Sequence, residues 1–298
     1  MHGKPFPGWV GIALLLVIGT IFGSNHIAAR VAFDHGTNVT TAVVVRSAGT
    51  VLFVWALLAY ARVPLALPAA TRWRAALIGL FICVQSYCIY SAVAVIPAAL
   101  ALLVFNTHPM MFLLLTWASG GERPTRRALI SMPIALIGLA IALDVFGRSA
   151  DLAGRWAEIG AGVGWATGAS LTFAIALVLT GRWLKEVDGR LRTLLTMGTV
   201  GIIMLAAGLA AGNLVLPADG FGWLGLGLLT FFYATAFTGL FIVLPRLGSV
   251  THIAALNFEP IAVLFLAWPI LGQSVTPLQV VGALIVVGAI IALGSGKR

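Results

Sequence analysis

Ten apolar runs of about twenty residues, joined by short connectors, constrain this chain more than any other feature. A helix rises about 1.5 Å per residue, so about twenty residues cross the ~30 Å hydrocarbon layer. Within lipid, a single segment satisfies its own backbone hydrogen bonds only as a helix. The first five runs are Trp9–Ala32, Thr40–Ala61, Trp73–Val95, Ala98–Trp117 and Ala128–Phe146. The second five are Ile159–Thr180, Leu191–Ala211, Phe221–Leu244, Thr251–Leu271 and Pro277–Leu293. Composition excludes a soluble fold: 60% of the residues are hydrophobic and 9% charged, with mean hydropathy +1.06. The first run is too long for the apolar core of a signal peptide and has a counterpart later in the chain, so it reads as a retained helix.

The net charge of +9 suggests nucleic-acid binding until the basic residues are placed. With the N-terminus cytoplasmic, the inner segments hold Lys4, Arg62, Arg72, Arg74, Arg123, Arg126, Arg127, Arg182, Lys185, Arg190, Arg192, Arg246, Lys297 and Arg298. The outer connectors hold only Arg148 and Arg155, and Arg30 and Arg46 lie within runs. Such a bias is the positive-inside rule and puts both termini in the cytoplasm; no nucleic-acid partner is expected. Cys83 and Cys88 are five residues apart on one helix, about 140° around it, so they pack and do not bridge. The glycosylation sequon at Asn38-Val39-Thr40 is too short a match to carry a role.

The chain is written twice. Asn106-Thr107-His108-Pro109, followed by Gly121 and Thr125, recurs as Asn257-Phe258-Glu259-Pro260, followed by Gly272 and Thr276, at an offset of 151. Gly49-Thr50-Val51 recurs as Gly198-Thr199-Val200 at 149, and Gly19/Gly23 recurs as Gly164/Gly168 at 145. The fold expected is therefore an all-α integral membrane protein of ten transmembrane helices, built as two five-helix repeats (residues 1–150 and 151–298). Five is odd, so the second copy enters the bilayer upside down. Exchange of shape between inverted copies interconverts inward-open and outward-open states, the basis of alternating access.

Polar residues at membrane depth are the candidate site. An ionisable group at the bilayer centre costs from about 3 kcal/mol upward. His108 and Glu259 are equivalent in the two repeats, and each precedes a proline that kinks the helix and frees a backbone carbonyl. Asn106, His108, Asn257 and Glu259 either line a central midplane cavity or clasp the two halves structurally. Asn25 and His26 meet substrate or a neighbouring helix. Tyr87, Tyr90, Tyr233 and Trp165 offer π faces to flat side chains or cations, with membrane-core packing as the alternative. Arg30 and Arg46 meet a carboxylate, snorkel, or pair with an acid such as Asp34. The paired glycines Gly19/Gly23 and Gly160/Gly164/Gly168 are expected to permit close helix packing. Either Glu259 or His108 is placed to carry a coupled proton, and uncoupled movement stays open.

Phe22-Gly23-Ser24-Asn25, Arg46, Asn106-Thr107-His108-Pro109 with Gly121-Glu122, and Gly248-Ser249 ahead of Asn257-Phe258-Glu259-Pro260 together resemble the drug/metabolite transporter superfamily. The likeness is to its EamA-like ten-helix branch, and within it to the aromatic amino acid exporters of the YddG type. The resemblance implies export of amino acids or related small metabolites across a bacterial inner membrane without ATP. It implies no cofactor and no metal; the partners are a small-molecule substrate and membrane lipid, and the oligomeric state is open. A channel-like facilitator and an intramembrane enzyme are the rival readings. The enzyme finds no support in an H-E-x-x-H, a G-x-S-x-G with a base, or a P-loop, since Gly294-Ser295-Gly296-Lys297 lacks the spacing.

Overall fold

The computed structural model describes residues 6–96, 98–143, 156–247, 255–271 and 276–294. Among them there is no strand, and the helices run α1 Gly8–Asp34, α2 Val39–Tyr60, α3 Ala69–Val95, α4 Ala98–Phe105, α5 His108–Ala118 and α6 Arg126–Ala142. The second half supplies α7 Trp156–Trp183, α8 Gly189–Ala210, α9 Gly220–Val243, α10 Glu259–Leu271 and α11 Pro277–Gly294. α4 and α5 are two pieces of one span, so these elements make ten spans, as the apolar runs predict. Among the described residues, seven helical segments are long and apolar enough to cross a membrane: those starting at Gly8, Val39, Ala69, Ala101, Ile159, Gly189 and Gly220. Several helices outrun their apolar cores, so Arg72, Arg74, Arg126, Arg127 and Arg182 lie in terminal turns and not in connectors. Arg148, Arg155, Gly248-Ser249 and Gly272 fall outside the described residues.

Helix ends follow local chemistry. Asn38, Thr125, Asp188 and Asp219 cap α2, α6, α8 and α9 through side-chain oxygens that accept backbone N–H groups. α1 ends at Gly36 (φ 94°) and α8 at Gly212 (φ 58°), where a left-handed residue lets Thr37 N donate to Ala32 O and Asn213 N to Gly208 O.

The helices form two compact units, each drawing on both sequence halves. Unit 1 comprises residues 21–83 and 179–245, and unit 2 the described residues within 6–20, 84–178 and 246–294. In unit 1, α2 packs along α8 and α9. Ala28, Ala29, Ala32, Ala42, Leu226 and Leu229 form one buried cluster, and Val54, Leu58 and Leu191 another. In unit 2 the main pairing is α6 with α11, while Leu113 of α5 is buried against Ala128 and Met132 of α6.

Unit 1 displays the inversion directly. The α1–α2 turn is stitched to the α8–α9 connector: Ala218 N donates to His35 O (2.9 Å), Thr37 Oγ1 to Val215 O (2.8 Å), and Val215 N to Thr41 Oγ1 (2.8 Å). Asn38, the sequon residue, also donates to Asn213 Oδ1 at 2.6 Å. At the other end of α2 and α8, Val63 and Leu67 gather with Val187, Leu191 and Leu194. Thus the α1–α2 turn and its repeat counterpart, the α7–α8 turn, stand at opposite ends of one unit.

The expected close approach is met at Gly19, where a Cβ would lie 3.5 Å from Glu259 N, but not in the second copy. A Cβ built on Gly160 or Gly164 meets nothing within 4 Å, and one on Gly168 meets only Cys88 Sγ at 3.6 Å. Close crossings occur elsewhere. Gly138 and Gly282 face each other across α6 and α11, and a Cβ on Gly225 would lie 2.8 Å from Ala32 N.

Candidate functional site

The site begins with a missing hydrogen atom. In a continuous fourth span, the N–H of residue 109 would donate to the carbonyl of Phe105, but Pro109 has none. The helix breaks at Asn106-Thr107 and restarts at His108, which puts the proline in a first turn, where its lack of an N–H costs nothing. The orphaned Phe105 carbonyl is taken by the His108 ring, with Nδ1 3.1 Å away. A carbonyl only accepts, so Nδ1 carries the hydrogen. Glu259, the repeat counterpart, likewise opens α10 one residue before Pro260, after a 3₁₀ turn at residues 255–258. There the start of the helix macrodipole favours a carboxylate.

In unit 2, His108 is 1% exposed, and its ring is flanked by Phe105 (centroids 4.9 Å apart) and Phe173 (5.0 Å). Asn106 Nδ2 donates to Leu102 O at 2.8 Å, and Thr107 Oγ1 lies 2.8 Å from Ser170 Oγ of α7. Asn257 and Glu259 are buried, and α10 packs against α4. Gly19 of α1 approaches the start of α10, a Cβ there lying 3.5 Å from Glu259 N. Among the described residues of this unit, three buried side-chain atoms have no hydrogen-bond partner: Asn106 Oδ1, His108 Nε2 and Asn257 Oδ1. Tyr90 is buried, whereas Tyr87 (54% exposed) meets Trp165 (39% exposed) edge-to-face at 5.9 Å on an open face.

Unit 1 holds a second arrangement. The Arg46 guanidinium lies 4.0 Å over the Tyr233 ring, a cation–π contact within a buried aromatic run. Tyr233 stacks on Phe237 at 5.3 Å and meets Phe22 edge-to-face at 6.1 Å. Asn25 is buried with its Oδ1 unpartnered, and His26 beside it is partly buried. Arg30 is exposed and pairs with Asp34 at 3.0 Å, the structural reading of that residue.

Two features escape sequence reasoning. The Phe105–His108–Phe173 stack brings residues on α4, α5 and α7 together through tertiary packing. Arg192, grouped above with the inner-segment cations, is 2% exposed in α8 and donates to Phe241 O at 2.7 Å. The signal that could have found it is helical phase: residues 190 and 192 lie about 200° apart on a helix, so both cannot face water if one face is packed. Arg190 takes the outer side and pairs with Asp188 at 2.9 Å. Among the described residues no cluster of His, Cys, Asp or Glu has the makings of a metal site.

Comparisons with known proteins agree with this architecture. No curated protein matches the sequence. A solved structure described only as a crystal structure of a protein superposes with a TM-score of 0.76, covering 95% of this chain and 96% of the other at 17% identity, a likeness of fold. The EamA-like transporter family matches residues 9–143 and again residues 160–295, once for each repeat. The chain therefore belongs to the EamA-like transporter family, a multi-pass membrane protein whose family implies a small-molecule substrate.

Proposed function

We propose that this protein is a secondary transporter that exports amino acids, aromatic and neutral ones favoured, or related small metabolites by alternating access. In this reading it sits in a bacterial inner membrane with both termini cytoplasmic, and its repeats are residues 1–150 and 151–298. The carrying observation is the paired helix restart, with His108 and Glu259 each opening a helix before a proline and Asn106 and Asn257 two residues earlier. Buried polar atoms without partners cost free energy, and a fold needing only stability would fill those positions with apolar side chains. The aromatic preference draws on the π faces that unit 2 holds in Tyr90, Phe105 and Phe173.

The test is counterflow in liposomes containing the purified chain. Unlabelled phenylalanine or leucine trapped inside should drive transient, saturable accumulation of the same labelled compound, recovered chemically unchanged. Flux that neither saturates nor shows counterflow would favour the channel, and altered substrate would favour the enzyme.

A further inference from the structure

The end of unit 1 away from the Gly36 turn is crowded with positive charge, and its contacts join three segments. Val63 and Leu67 of the α2–α3 connector and Val187 of the α7–α8 turn gather around Leu58 and Leu191. Arg74 of α3 lies over the Trp183 ring of α7, its Cζ 6.0 Å from the centroid. Besides the buried Arg192, this end carries Arg62, Arg72, Arg74, Arg182, Lys185 and Arg190, against the acids Glu186 and Asp188. Arg190 takes Asp188. Among the described residues no carboxylate pairs with Arg62, Arg72, Arg74 or Lys185, and all four are exposed.

These charges stand where α3 enters the apolar layer. Tyr60, Trp73 and Trp183 are exposed aromatics of the same end, as in the belt that marks headgroup level. Trp73 is 67% exposed, and Leu80, seven residues on and so on the same face of α3, is 44% exposed. Residues 72 and 74 lie about 100° to either side of residue 73 around the helix, so Arg72 and Arg74 flank the start of that apolar strip. Long basic side chains lay their stems on apolar surface and keep their charge among the headgroups. The first turn of α3 holds no acid, and the start of the helix macrodipole attracts an anion in the same sense.

Paired cations at headgroup level beside an exposed apolar strip fit an anion that carries a hydrocarbon tail. We propose that the start of α3 binds an anionic phospholipid. Its phosphate sits between Arg72 and Arg74, the α7–α8 turn adds the charge of Lys185, and an acyl chain runs along Trp73 and Leu80. A free anion has no tail to cover that strip. The partner is a membrane lipid, whatever solute the protein carries.

The test is native mass spectrometry of the purified full chain in detergent, titrated with phosphatidylglycerol or with phosphatidylcholine of the same acyl chains. Each nearby cation strengthens the hold on an anionic lipid severalfold, so phosphatidylglycerol should bind at concentrations about tenfold or more below phosphatidylcholine. Arg72→Gln/Arg74→Gln should erase that preference, and Arg72→Lys/Arg74→Lys should keep most of it. Arg126→Gln/Arg127→Gln removes two exposed cations at the start of α6 in unit 2 and should leave the preference intact. Excess inorganic phosphate should not displace the lipid. Equal binding of the two lipids overturns the proposal, and so does equal loss in the two double Gln variants, the behaviour of diffuse surface charge. Displacement by inorganic phosphate overturns it in favour of a free-anion site. If Arg72→Gln/Arg74→Gln does not elute as a single peak, the single variants decide: each should lose about threefold or more, and no loss in either overturns the proposal.

Discussion

At Pro109 one missing N–H sets a chain of consequences. The Phe105 carbonyl needs a donor, His108 supplies it through Nδ1, and the ring is left with one free lone pair in a phenyl-walled setting. The motif Asn106-Thr107-His108-Pro109 is legible in the sequence because proline chemistry is local. The phenyl walls are not, since Phe173 arrives from α7 by packing that no spacing encodes. A second residue-scale device lies outside the membrane. Asp219 caps α9 and lies 2.6 Å from His35 Nδ1. The Gly222 N–H, and then the His35 hydrogen bond, hold its carboxyl below the usual carboxylate range. A lowered carboxyl contributes stability that is present above its ordinary pKa and is lost as pH falls through the lowered one. Asp219→Asn keeps a capping acceptor but does not titrate. Its melting temperature in detergent should therefore fall less than the native protein's between about pH 5 and about pH 2. Parallel melting curves over that range would show that the carboxylate contributes nothing to folding.

At the scale of the element, the hydropathy pattern locates ten spans because period and length suffice for a membrane helix. It does not resolve α4 from α5, nor find the 3₁₀ turn ahead of α10, because both breaks sit inside runs that stay apolar. Glycine spacing is also a poor guide to contact. Gly160 and Gly164 face open space, while the tight crossing is formed by Gly138 and Gly282, where α6 meets α11. A Cβ on Gly282 would lie 2.6 Å from Gly138 O and closer still to Ala142 N, and backbone on both sides leaves it nowhere to go. Gly282→Val should cost about 1–3 kcal/mol or more through overpacking, read as a lowered melting temperature or loss of the monodisperse peak. Gly288→Ala on the same helix, with nothing within 4 Å of the added methyl, should be close to neutral. Equal effects at the two sites would mean that α6 and α11 do not cross there.

For the whole molecule, the decisive property is that one five-helix design is inserted twice in opposite senses. The repeat offsets and the odd span number make this legible in the amino-acid sequence alone. The two compact units are not legible there, since each takes helices from both halves. Unit 1 carries the result: the turn at Gly36 sits with the α8–α9 connector, and its counterpart turn near Glu186 belongs to the other end of α8. The most direct test is single-cysteine labelling in sealed right-side-out vesicles, with Cys83 and Cys88 replaced. A cysteine at Gly36 should react with a membrane-impermeant maleimide added outside, and a cysteine at Glu186 should react only after the vesicles are opened. Labelling of both from the same side would contradict the inverted architecture and the transport mechanism built on it.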